Sequence, residues 1–157
     1  MPVRAESLTQ SSTAPYESDF NDWCRETAAL IRERQWSGID AEHLAEEIEA
    51  LANRDERELC NRLVVLVMHL LKWHIQAGRR SPSWAHTVRE QRNKLRLILD
   101  QSPSLNRVAR ERWSYVYERA RRNAIAETGL AERHFPAECP WTPDQALDPD
   151  FYPEPAK

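Results

Sequence analysis

Glycine is scarce. The 157-residue chain has three, where average usage near 7% would give about eleven. With so few, there is no G-x-G-x-x-G and no G-x-x-x-x-G-K-[ST] string, so the Gly-rich phosphate loops are excluded. A sandwich built on many tight turns is excluded with them. Cysteine is equally sparse. Cys24, Cys60 and Cys139 are odd in number and far apart, which rules out a disulfide framework and a C-x-x-C metal site. Long apolar runs are missing too. The longest, Leu63 to Leu71, is nine residues broken by His69, against about 20 needed to span a bilayer. The first 15 residues are polar and carry no targeting pattern. These absences together predict a cytoplasmic protein, with no membrane segment and no bound cofactor or metal.

What is present reads as one helical domain. Charged residues make up 30% and the hydrophobic class 41%, so the chain can fold. The net charge of −3 conceals an asymmetry. Residues 1–60 carry 6 basic and 14 acidic side chains, residues 61–125 carry 14 and 4, and residues 126–157 carry 2 and 7. Such a chain either neutralises itself on folding or offers a basic face to a partner.

Prolines are absent from 16 to 81 and from 104 to 135, and helices can run through both stretches. Phe20, Trp23, Cys24, Thr27, Leu30 and Ile31 recur at helical steps and predict a first helix over about 18–36, closed by Gly38. Asp40 opens a second over about 41–77, with a break expected at Asn53, Arg54 and Asp55 and Gly78 at its end. Its 63–71 run is apolar nearly all round, which predicts a central, buried helix. Ser81-Pro82 or Ser83 opens a third over about 82–100, and Ser102-Pro103 a fourth that Gly129 closes. Six of the ten prolines follow residue 130, so 131–157 reads as an extended tail packed on the bundle. Within it, Thr142-Pro143-Asp144-Gln145 is a capping box for one short helical turn. The expected organisation is a disordered lead over 1–15, a bundle of four main helices over 16–130, and this tail.

Four constellations bear on function. Arg89, Arg92 and Arg96 share a face of the third helix, and Arg107, Arg110 and Arg121 a face of the fourth. Such stripes could neutralise nucleic acid phosphates, or pair with the acidic stripe Glu42, Glu46 and Glu49 of the second helix. The histidines form no H-E-x-x-H and no paired Glu-x-x-His motif, and His69 reads as a core residue held by one hydrogen bond. Cys24 and Cys60 sit on apolar helical faces, and Cys139 lies beside Glu138, which would raise its pKa. No catalytic set converges. Of six tryptophans, Trp36 and Trp141 flank loops and are candidates to line a contact.

An ordered series of strings carries a family likeness. It runs Tyr16-Glu17-Ser18-Asp19-Phe20 with Trp23, Leu44-Ala45-Glu46-Glu47-Ile48-Glu49, Met68-His69-Leu70-Leu71-Lys72-Trp73, and Ser83-Trp84 with Glu90-Gln91-Arg92. It continues with Ser102-Pro103-Ser104-Leu105, Glu127-Thr128-Gly129-Leu130, Phe135-Pro136 and Glu138-Cys139-Pro140. Over about 16–152 the chain resembles the bacterial DUF29 family, a domain of unknown function. The resemblance implies an all-helical, stand-alone bacterial protein, and lends no activity and no ligand residues. Where members carry Tyr after Cys-Pro, this chain has Trp141. The polar residues in those strings predict an inter-helix network or groove of Glu46, Glu49, His69 and Arg92, with Glu49 paired to Arg92 across antiparallel second and third helices. The reading overall is a non-enzymatic helical protein that binds a protein partner or a second copy, with nucleic acid binding through the arginine faces as the alternative.

Overall fold

The computed structural model describes residues 16–156; the lead expected over 1–15 lies outside them. The first three helices start where a short polar side chain takes an orphan amide. Asp19 accepts from the Asp22 amide at 2.9 Å and opens α1 (Phe20–Arg32). Asp40 accepts from the His43 amide at 3.2 Å and opens α2 (Ala41–Ile75). Ser81, followed by Pro82, accepts from Trp84 at 3.3 Å and opens α3 (Pro82–Gln101). Then come α4 (Leu105–Glu111), α5 (Trp113–Thr128) and the short α6 (Pro143–Leu147), which Thr142 and Gln145 close with the expected capping box. Among the described residues there are no strands, and the chain is all-helical.

Three expectations need correction. The second helix does not break: Asn53, Arg54 and Asp55 remain helical inside the 35-residue α2. Asn53 and Asp55 are weak helix formers, but each costs only about 0.7 kcal/mol against alanine, Arg54 between them is a good one, and the segment holds no proline or glycine. The expected fourth helix is two. Arg112 sits between α4 and α5 with ψ near 3°, far from the helical value, although amide bonds of 2.9 Å on either side carry the chain through. Four main helices thus become six, five of them of seven residues or more. The glycines do not all close helices either. α1 ends on Arg34, which takes the left-handed conformation itself (φ 59°) while the Gln35 amide reaches back to the Leu30 carbonyl at 2.9 Å. Gly38 and Gly78 lie in the short 3-10 turns that follow, and only Gly129 (φ 67°) closes a helix in the left-handed region.

The chain divides into two compact units, meeting in sequence between Ala52 and Asn53. The N-terminal unit is a helical pair, α1 and the first third of α2. It buries only Trp23 and Thr27. Tyr16 organises its polar edge: the ring stacks on His43 (4.1 Å) and meets Trp23 edge-on (5.0 Å), and the hydroxyl donates to Glu47.

The C-terminal unit holds the core. Leu59, Leu63, Leu66, Val67, Leu70 and Leu71 of α2 are fully buried against Val88 and Leu95 of α3 and Val116 of α5, as the 63–71 run predicts. Each such side chain contributes about 1.5–3 kcal/mol by leaving water. Phe135, Trp141 and Ala146 of the chain beyond α5 complete the same cluster.

The glycines give a direct test. Nothing lies within 4 Å of a Cβ added at Gly129 or Gly78, so only backbone conformation separates them. Gly129→Ala should destabilise the fold by about 1 kcal/mol, read as a lower urea midpoint, while Gly78→Ala should leave it unchanged or slightly higher. Equal effects would contradict the left-handed closure.

Candidate functional site

Residues after Thr128 are rich in proline, which offers carbonyls but no amide donors, and a carbonyl turned inward needs a partner. Arginine supplies it. Arg92, 3% exposed, donates from Nε to the Ala146 carbonyl at 2.9 Å, from Nη1 to Pro149 at 3.2 Å and from Nη2 to Phe151 at 2.7 Å. Its guanidinium also lies 5.2 Å from the centre of the Tyr152 ring. Burial pushes its pKa below the usual value, and the planar fork stays charged. Arg121 repeats the device with the Glu132 and Phe135 carbonyls and the Glu132 carboxylate, and Arg80 does so with the Trp73 and Pro153 carbonyls. Tyr117 donates to the Pro136 carbonyl and the Trp113 indole to that of Trp141.

This places most of the residues singled out from the sequence. Arg92 donates its hydrogen bonds to tail carbonyls. Of the basic face, Arg92 and Arg121 hold the tail, Arg110 meets Asp144 at 3.3 Å, and Arg107 meets Glu111 at 3.8 Å; Arg89 and Arg96 form no ion pair among the described residues. His69 is half-buried, with Nδ1 2.9 Å from the Val65 carbonyl, and burial lowers its pKa, so the neutral ring donates there. Glu46 and Glu49 are exposed and form no ion pair among the described residues. Trp141 belongs to the core, against His74 and Phe151, whereas Trp36 is 63% exposed. Burial raises the Cys60 and Cys139 thiol pKa values, opposite to the shift that activates a nucleophile.

Two surfaces remain with unmet chemistry. The first is apolar. Among the described residues seven large hydrophobic ones are exposed, and five of them, Phe20, Ile31, Trp36, Ile48 and Leu51, belong to the N-terminal helical pair. That segment, 16–52, carries 10 acidic and 3 basic side chains. The second is a furrow of about 460 Å³ in the C-terminal unit, bordered by Arg57, Cys60 and Asn61 of α2 and by Arg112, Tyr115 and Arg119 at and after the α4–α5 junction. Arg57 and Arg112 form no side-chain hydrogen bond or ion pair among the described residues, and Arg119 donates only to the Tyr115 hydroxyl at 2.7 Å. Sequence reasoning missed this furrow. Arg112, Tyr115 and Arg119 stand at i, i+3 and i+7, and that spacing was the available signal.

At the edge of the helical pair, Asp40 lies 2.6 Å from Nδ1 of His43. The hydrogen bond that His43 donates to Asp40, with nearby glutamates, raises the His43 pKa, and the same bond lowers that of Asp40. The pair is complete between those two values, fading as pH rises through the raised histidine pKa or falls through the lowered aspartate one. An NMR titration should therefore find His43 above its ordinary 6.5, with Asp40→Asn returning it toward that value. A wild-type value at or below 6.5 would contradict the pairing.

Arg92 predicts a larger effect. Arg92→Lys keeps the charge but cannot reach three carbonyls, and Arg92→Met leaves all three unmet. Both should destabilise by about 3 kcal/mol in urea unfolding, since a hydrogen bond to a charged group is worth about 1.5–3 kcal/mol. A loss below about 1 kcal/mol for both would show that the tail does not depend on this fork.

No curated protein and no solved structure matches the chain. The family model of the domain of unknown function DUF29 matches residues 15–152, nearly the whole length, in agreement with the ordered strings. The chain belongs to the DUF29 family.

Proposed function

We propose that this is a non-enzymatic interaction protein of the bacterial cytoplasm, in which the C-terminal unit is the scaffold and the N-terminal helical pair is the docking element. One observation carries the reading. The pair buries only Trp23 and Thr27 yet holds five of the seven exposed large hydrophobic residues. A helix pair needs an apolar face covered, and apolar side chains gathered on a single element mark a contact site. The chemistry of the partner follows from charge. With 10 acidic and 3 basic side chains in 16–52, the face fits a basic surface that also offers apolar contact. The rest of the molecule supports a binding role: the raised thiol pKa values of Cys60 and Cys139 and the hydrogen-bonded His69 leave these groups poorly suited to covalent or acid–base chemistry.

A synthetic amphipathic helix of leucine and lysine, fluorescently labelled, is a suitable probe. Fluorescence anisotropy should show it binding the full-length chain, and binding should weaken at least tenfold in Ile48→Ser/Leu51→Ser. It should also weaken as salt rises from about 0.05 M to about 0.5 M. Equal binding by the variant would sink the proposal, as would no binding by either.

A further inference from the structure

We infer that the basic surface the helical pair meets is the arginine furrow of a second copy of the same chain. The inference rests on the proposed docking role of that pair and names its partner.

The furrow is built for an acidic occupant. Three guanidinium groups, those of Arg57, Arg112 and Arg119, border it against a single carboxylate, Glu56. Two of the three have no side-chain partner among the described residues. Three like charges gathered about one counter-charge raise the energy of the free protein, and an arriving carboxylate relieves it. Tyr115, 44% exposed, adds apolar surface. An aromatic residue set among arginines is the composition of a contact centre.

The helical pair supplies the complement. Glu42, Glu46 and Glu49 are exposed and form no ion pair among the described residues. The stripe from Glu42 to Glu49 spans seven residues of α2, and that from Arg112 to Arg119 spans seven across the α4–α5 junction. At 1.5 Å per residue each is about 10 Å long, so the charges are in register when the two lie side by side. Ile48 and Leu51, 58% and 53% exposed, lie on other faces of the same helix, more than about 100° around from the glutamate stripe, so the apolar part of this contact comes from Tyr115.

The choice of a second copy as the occupant rests on this complementarity of charge and length. Each copy offers one acidic helix and one furrow. Two copies that exchange helices therefore satisfy both and close a dimer by two-fold symmetry.

The test is light scattering coupled to size exclusion on the full-length chain, with circular dichroism to confirm that each variant keeps its helix content. The wild type should be a dimer at about 0.05 M salt and dissociate toward monomer at about 0.5 M. Arg112→Glu/Arg119→Glu should be monomeric, and so should Glu46→Arg/Glu49→Arg. All four positions are exposed, so the fold should tolerate them. Mixing the two variants should restore a dimer, because the one reversed helix then meets the one reversed furrow and the native helix meets the native furrow. A wild type that stays monomeric at high concentration overturns the inference while leaving the peptide-binding role of the helical pair to stand or fall separately. So does a dimer that survives the furrow variant but is lost in Ile48→Ser/Leu51→Ser, the signature of helical pairs docking on each other. Binding of a labelled single-stranded RNA, lost in Arg112→Glu/Arg119→Glu while the wild type remains monomeric, would overturn it in favour of nucleic acid.

Discussion

The fold depends on how a proline-rich tail is held to a helical core. Tail carbonyls cannot form a ladder, and buried without donors each would cost about 1–3 kcal/mol. Arg92 meets three at once from a position on α3 that is almost fully buried. Arg121 and Arg80 act the same way on flanking carbonyls. The guanidinium is the one side chain whose fixed fork can serve carbonyls from several residues together. With the tail in place, Phe135, Trp141 and Ala146 enter the core that α2, α3 and α5 begin. Much of the positive charge in 61–125 is thus engaged inside the molecule, with carboxylates and, at Arg80, Arg92 and Arg121, with backbone oxygen.

That internal use leaves two features outside it. The N-terminal helical pair has an acidic surface and exposed apolar side chains, and the furrow has arginines with few partners. Both are unfinished in the same sense: each exposes groups whose free energy falls on contact with the other's chemistry. α2 belongs to both units, central in one and largely exposed in the other, and its 35 residues contain no glycine or proline at which it could bend freely.

Much of this architecture is legible in the sequence. The proline-free stretches, the caps at Asp40 and Thr142, and the apolar run of α2 mark the helices and the centre of the core. What escapes is set by long-range contacts. Nothing local predicts the bend at Arg112, because no proline or glycine stands there. The left-handed residue that ends α1 is Arg34, not the glycine four positions on, since tertiary packing can impose a strained conformation that local preference disfavours. Arg92 illustrates the point most clearly. Its position on an inner face is readable from spacing, but its partners are carbonyls some 54 to 59 residues away, and a backbone carbonyl has no signature in the sequence. Charge patterning pointed to glutamates instead. The arginine furrow was missed for the same reason: Arg57 and Arg112 are brought together only by the packing of α2 against the α4–α5 junction.

The central claim is that the tail is part of the core and does not merely lie on it. Native-state hydrogen exchange on the full-length chain tests this most directly. The bonded amides of Ala146, Asp148 and Phe151 should open with the same free energy as those of α2 between Leu59 and Leu71, because both belong to one cooperative unit. Tail amides that exchange at a much lower free energy, while α2 stays protected, would contradict the account and make the arginine contacts a surface decoration.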